Sequence, residues 1–242
     1  MIGLPGGSTL SLHAACAPYH AVQCREWCLP QPDERNHHRK ARQMVRALDT
    51  HQRLTFEEYL KFEEASDIRH ELVDGHLYAF AGASDRHSLI TVNITALLWN
   101  RARGGRCRVY DSDMKLRISH RVGYYPDVMV GCDPEDNHRL FRRRPCLLVE
   151  VLSPSTSLTD RREKSIAYQG IESLQGYIMV YRDEHRVESY TRNSDGVWVY
   201  QNLTGDQDVW FPCVDLTVPV QELYEDVDMS PIVPSTEEPD IR

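Results

Sequence analysis

The chain has 242 residues, 41% of them hydrophobic and 26% charged, enough apolar material for one sizeable domain or at most two small ones. Its net charge of −8 excludes nucleic-acid binding through the overall field alone, so a DNA or RNA partner needs a local basic patch or a bound cation. No apolar run is long enough to span a bilayer, and the N-terminus MIGLPGGSTLSLHAACAPYH lacks the basic start and long apolar stretch of a signal peptide, so a cytoplasmic location is expected.

Residues 1–50 show no helical or strand period. They hold Gly-Gly, several prolines, three of the seven cysteines and the polar cluster DERNHHRK, and are expected to be a disordered extension. Cys24 and Cys28 precede His37 and His38, but the short gap and the absence of a turn motif argue against zinc there. Of the remaining cysteines, Cys107, Cys132 and Cys146 sit in or beside strand-like segments. An odd, scattered set reads as buried thiols rather than disulfides.

The ordered part, 51–228, opens with LTFEEYLKFEEAS (54–66). Thr55 as N-cap and Glu58 three residues on predict a capping box, with Phe56, Tyr59 and Leu60 on the apolar side. In HELVDGHLYAF (70–80), Asp74-Gly75 predicts a hairpin turn. A helix is expected over 85–103, with Ile90, Ile94, Leu97 and Leu98 as its buried stripe and Gly104-Gly105 ending it. Strands follow at 107–118, 125–132 and 146–153, a second helix near 157–173, and strands at 176–182, 185–192 and 196–203. The tail after about 229 is proline-rich, polar and expected to be flexible. The order predicts an α/β (α+β) domain, a mixed β-sheet flanked by helices.

One residue breaks the pattern of burial. In CLLVEVL (146–152) every residue but Glu150 is apolar. Alternation puts Leu148 and Leu152 on the face of Glu150, and Leu147, Val149 and Val151 on the other, so both faces look buried. A carboxylate there requires a cation, a lysine or a metal nearby, unless the strand end is half exposed. Asp127 opens another apolar strand, YPDVMVGC, after a proline, although aspartate is a poor strand former. Carboxylates on neighbouring strands, about 5 Å apart, can share one divalent ion, and Glu71 at the hairpin is a third candidate ligand. On the later helix, Asp160, Lys164 and Tyr168 share a face at i, i+4, i+8. Lys164 is either in an exposed ion pair or aimed over the strand ends at the same site; spacing does not choose. Two arginine-rich stretches, RARGGRCR (101–108) and HRLFRRR (138–144), are candidate local patches for DNA or RNA, although taken alone each reads as a solvated loop.

HELVDG, His87, YPDVMVGC, LLVEVLSPST and DRREKSIAY, in that order over about 54–226, resemble the Uma-type restriction endonuclease family of the PD-(D/E)xK nuclease superfamily. The resemblance implies a restriction-endonuclease-like fold with metal-binding acids on adjacent strands. It implies Asp127 as the aspartate of the PD motif and Glu150 as the acid of the second motif. The lysine usual two residues after that acid is here Leu152; Lys164, on the following helix, matches the migrated lysine. Glu71 matches the early acid, and His87 and Tyr168 match recurring family positions. The expected function is a Mg2+- or Mn2+-dependent endonuclease that hydrolyses DNA phosphodiester bonds with a metal-activated water. Glu71, Asp127 and Glu150 are its expected metal ligands, and Asp127, Glu150 and Lys164 its catalytic residues. A homodimer is plausible, since duplex cleavage often takes two sites. The competing reading is a catalytically idle scaffold that holds DNA or a protein partner; the acidic net charge and the broken E-x-K motif favour it, whereas the charges retained on buried strands favour the nuclease.

Overall fold

The structure is a computed structural model that describes residues 53–79, 84–152 and 160–231. The extension 1–50, most of the expected tail and the SPST stretch lie outside the described residues.

Helix α1 (Phe56–Glu64) begins at the predicted capping box: Glu58 N–H donates to Thr55 Oγ1 (3.3 Å), and Thr55 N–H donates to Glu58 Oε2 (2.8 Å). Strands β1 (His70–Val73) and β2 (His76–Ala79) form the hairpin around Asp74 and Gly75, whose φ values of 48° and 84° give the doubly left-handed turn that matches strand twist. Helix α2 (Asp85–Ala102) is capped by Ser84 and buries Ile90, Ile94, Leu98 and Ala102 at four-residue spacing. Among the described residues no helix is long and apolar enough to cross a membrane.

Two sheets form the centre. The larger comprises β3 (Arg108–Asp111), β6 (Val128–Gly131), β8 (Leu147–Leu152), β9 (Gly176–Tyr181), β10 (Arg186–Arg192) and β11 (Trp198–Thr204), in the order β11-β10-β9-β8-β6-β3. Only the β8–β9 pair in it is parallel. The smaller has the order β2-β1-β5-β4-β7, with β4 (Lys115–Arg117), β5 (Gly123–Tyr124) and β7 (Phe141–Arg142). A hairpin of β12 (Asp208–Phe211) and β13 (Leu216–Pro219) completes the strands.

All six residues of β8 are buried, and they divide as alternation requires. Leu147, Val149 and Val151 pack with the α2 stripe and the β12–β13 hairpin; Leu148 and Leu152 pack with Leu116, Tyr124 and Tyr168 between the larger sheet and the smaller. Helix α1 lies on the smaller sheet, its Phe56 ring so close to Gly123 that a Cβ there would come within 2.5 Å of it.

The stretch 107–118 is not one strand. Asp111 accepts from Asp113 N–H through its side chain (3.1 Å) and from Met114 N–H through its carbonyl (3.2 Å), and this turn sends the chain from the larger sheet into the smaller. Likewise Pro126, which has no N–H to give a ladder, separates β5 from β6. The helix expected over 157–173 is a π turn (Asp160–Lys164) running into the short helix α3 (Ser165–Gln169), which stops at Gly170. The cysteine expectation is corrected as well: Cys107–Cys132 and Cys146–Cys213 are disulfides. Arg108 pairs with Gly131 across β3 and β6, so the next residues outward, Cys107 and Cys132, face one another. Cys213 comes over the start of β8 from the turn Pro212–Val214.

Candidate active site

Glu150 projects from the fully buried strand β8 into the space beneath α3 and is 4% exposed. The turn from the π segment into α3 puts Lys164 and Tyr168 on one face, and both reach the same oxygen. Tyr168 donates its O–H to Glu150 Oε1 (2.8 Å), and Lys164 Nζ lies 3.3 Å from it. Lys164 also lies 3.1 Å from Glu71 Oε1, the oxygen that accepts from Tyr125 N–H (3.3 Å). One buried ammonium thus bridges two carboxylates brought in by different sheets. Burial, followed by the charge of Glu150, pushes the Tyr168 phenol well above the ordinary tyrosine range, so it remains a hydrogen-bond donor.

Asp127 precedes β6. Val128 pairs with Val149, so Asp127 and Glu150 are the next residues along neighbouring strands. The Asp127 carboxylate turns toward the ladder: Oδ2 accepts from Val151 N–H (2.7 Å) and lies 3.2 Å from His87 Nε2 in the first turn of α2. His87 Nδ1 is buried without a hydrogen-bond partner among the described residues.

The sequence-predicted residues therefore form two adjoining groups, Glu71–Lys164–Glu150–Tyr168 and Asp127–His87. The Asp160 side chain lies outside the described residues. Among the described residues the three carboxylates do not form a set with all ligand oxygens within 4.8 Å of one another; the ammonium stands between Glu71 and Glu150. Tyr124, whose ring centroid is 5.6 Å from Lys164 Nζ, was not singled out from sequence. Its position in the doublet just before Pro126-Asp127 was the available signal.

A cleft of about 510 Å³ opens beside Asp127, lined by His87, Thr91, Thr95 and Trp99 of α2 with Asp111 and Asp127 opposite. Trp99 is half exposed, and the Arg103 guanidinium stacks 5.1 Å from its ring centroid, so the cleft leads from Asp127 toward the RARGGRCR stretch. The other basic stretch is partly used internally: Arg144 pairs with Asp133 at 2.8 Å, and Arg143 and Arg144 donate their backbone N–H groups to Asp136.

Comparison with known proteins gives three kinds of likeness. Residues 56–221 match the Uma2 family, described as "Putative restriction endonuclease". The chain is 38% identical over 174 residues to the uncharacterized protein slr1290 of Synechocystis sp. (strain PCC 6803), covering 71% of this chain and 92% of that one. It is 34% identical over 157 residues to the uncharacterized protein sll1609 of the same organism, covering 63% of this chain and 89% of that one. Among solved structures it resembles one titled as a putative nuclease belonging to DUF820 from Anabaena variabilis, with a TM-score of 0.59 at 17% identity, covering 71% of this chain and 98% of that one. That likeness supports the nuclease-like α+β fold, and the match over 56–221 settles the lineage: the chain belongs to the Uma2 family.

Proposed function

We propose that the chain is an endonuclease that hydrolyses DNA phosphodiester bonds at the site built by Glu71, Asp127, Glu150 and Lys164. The observation that carries this reading is the contact of the buried Lys164 with the buried Glu150 and the part-buried Glu71. The lysine absent from position 152 reaches the acid of β8 from the following helix. The family description "Putative restriction endonuclease" and the structural relative described as a "putative nuclease" agree with it.

The residues fit a hard divalent ion in kind. Among the described residues three carboxylates gather around the Lys164 ammonium and the His87 ring, an oxygen-rich donor set in which Asp127 Oδ1 and Glu71 Oε2 make no hydrogen bond. Magnesium keeps several of its waters, so its protein ligands need not crowd together. Glu71, Asp127 and Glu150 would hold Mg2+ or Mn2+, which supplies a more acidic water and neutralises a phosphate oxygen. The chain's own groups do the rest. Tyr168 fixes the orientation of Glu150 through its O–H, and His87 and Val151 N–H hold Asp127 at the strand end. Lys164 offers an ammonium to a water or to charge growing on a phosphate oxygen. The cleft past Thr91 and Thr95 leads to Trp99 and Arg103, an aromatic face and a cation suited to a nucleic-acid strand.

The test is incubation of plasmid and single-stranded DNA with the full chain in Mg2+, Mn2+ or EDTA, beside Asp127→Asn and Glu150→Gln. Metal-dependent cleavage lost in both variants is expected. Cleavage unchanged in both would reveal a contaminant, and metal-dependent DNA binding without cleavage would establish the scaffold reading instead.

A further inference from the structure

The site above uses the C-terminal end of β8 and the residue before β6. At the opposite end of those strands stands a second group of reactive side chains. Cys107 precedes β3, Cys132 follows β6, Cys146 precedes β8 and Cys213 lies in the turn after β12. Though paired as two disulfides, the four sulfurs form one cluster: Cys132 Sγ and Cys146 Sγ, from different pairs, are 3.2 Å apart. The sulfurs of Cys132, Cys146 and Cys213 all lie within 4.8 Å of one another, the one such grouping of three or more cysteine, histidine or acidic ligands among the described residues. Cys146 is buried in the main core, and Cys107, Cys132 and Cys213 pack against that core half-buried.

We propose that, reduced, these four cysteines bind one zinc ion and so form a structural metal site. A tetrahedral Zn(Cys)4 centre with Zn–S bonds of about 2.3 Å has its sulfurs about 3.8 Å apart. Cys132, Cys146 and Cys213 are already grouped near that spacing, and on reduction each bonded pair opens while Cys107, whose Sγ lies 3.9 Å from the Cys213 carbonyl, turns in as the fourth ligand. The ligand set is all sulfur, which selects a soft or borderline ion over the hard ions suited to the carboxylates near Asp127. The ligands come from β3, β6, β8 and the β12–β13 connection, so one ion ties the edge of the larger sheet, its centre and the covering hairpin together. Cys146 and Glu150 are four residues apart on β8, about 13 Å along an extended strand, so the ion is remote from the proposed hydrolytic site. The spacing has no Cys-x-x-Cys pair, which is why the sequence did not announce it.

The oxidised and metal-bound forms are related by a balanced exchange. Two phosphine molecules and two waters reduce the two disulfides to four thiols, giving two phosphine oxides. Binding of Zn2+ then releases the four thiol protons as the four thiolates coordinate.

The experiment uses the full chain, purified with a phosphine reductant, dialysed against trace zinc and assayed for metal by mass spectrometry. Parallel samples are loaded with Co2+ under argon. One equivalent of zinc is expected, together with the thiolate-to-cobalt charge-transfer band and the intense visible bands of tetrahedral cobalt. Both signals should persist when Cys16, Cys24 and Cys28 are all changed to serine, and should be lost in Cys107→Ser and in Cys213→Ser. Circular dichroism checks that each variant is folded, and Cys213→Ala serves where Cys213→Ser is not. Absence of stoichiometric metal from the reduced chain, a cobalt spectrum without thiolate charge transfer, or full retention in folded Cys107→Ser or Cys213 variants would overturn the assignment.

Discussion

Lys164 Nζ lies 3.3 Å from Glu150 Oε1, although fourteen residues separate them and the chain must leave the sheet and enter a helix in between. The lysine answers the question that a glutamate in an apolar strand poses: its charge is compensated from outside the sheet. In Lys164→Ala the ammonium is lost while Glu150 and Glu71 remain. Stability should fall by about 3 kcal/mol, the range for breaking a buried pair from one side, moderated by the O–H that Tyr168 still donates. Urea denaturation measures this. DNA cleavage should drop by about 100-fold or more, the usual contribution of one proton-transfer group, with Mg2+ affinity by calorimetry nearly intact. Full activity in the folded variant would remove Lys164 from the reaction.

Asp127 holds the β6–β8 ladder together at Val151 and is also a proposed metal ligand, and two substitutions separate these roles. Asp127→Asn keeps an oxygen able to accept from Val151 N–H, so the melting temperature should move little, whereas cleavage should fall by about 100-fold. Asp127→Ala should lose the same activity and in addition about 1–2 kcal/mol of stability, because the buried N–H is left without its partner. Equal activity in wild type and Asp127→Asn would leave Asp127 a structural residue only.

Alkaline pH should unfold the protein early. Burial raises the phenol of Tyr168, and likewise those of Tyr59, Tyr125 and Tyr224, above the ordinary value. The unfolded chain releases these protons near pH 10 and the folded chain does not. Above that pH the unfolded state therefore binds fewer protons, and stability falls as pH rises from the unfolded pKa toward the folded ones. Thermal melts from pH 8 to 11 should show a flat region and then a decline. Tyr168→Phe should flatten the decline, at the expense of a neutral-pH loss of about 1 kcal/mol from the missing bond to Glu150. An unchanged slope in that variant would contradict the assignment of the shift to this phenol.

The cleft beside α2 should carry the DNA strand toward Trp99 and Arg103. Trp99→Ala should weaken single-stranded DNA binding by about 1–3 kcal/mol, the scale of one base stacked on an aromatic ring. Arg103→Gln should weaken binding across all sequences and reduce the salt dependence by about one counterion, if Arg103 meets a phosphate. Fluorescence anisotropy against salt concentration reads both. Unaltered affinity in both variants would move the DNA path elsewhere on the surface.

What the sequence by itself determined was local. The Thr55–Glu58 capping box, the Asp74-Gly75 turn and the Ile90-Ile94-Leu98 stripe depend on residues a few positions apart and on backbone preferences, and each lies where chemistry and period put it. The two-sided burial of β8 was equally legible, because alternation divides Leu148 and Leu152 from Leu147, Val149 and Val151 without reference to any partner. Tertiary structure decided what meets across the chain. It divided 107–118 between two sheets at the Asp111 turn, set Cys107 opposite Cys132 through the β3–β6 register, and carried Lys164 to both Glu71 and Glu150. Strand register and the seating of α3 over the sheet come from packing side chains remote in sequence, and a single ammonium can meet two carboxylates, Glu150 buried and Glu71 part-buried, only once that packing has delivered all three to one place.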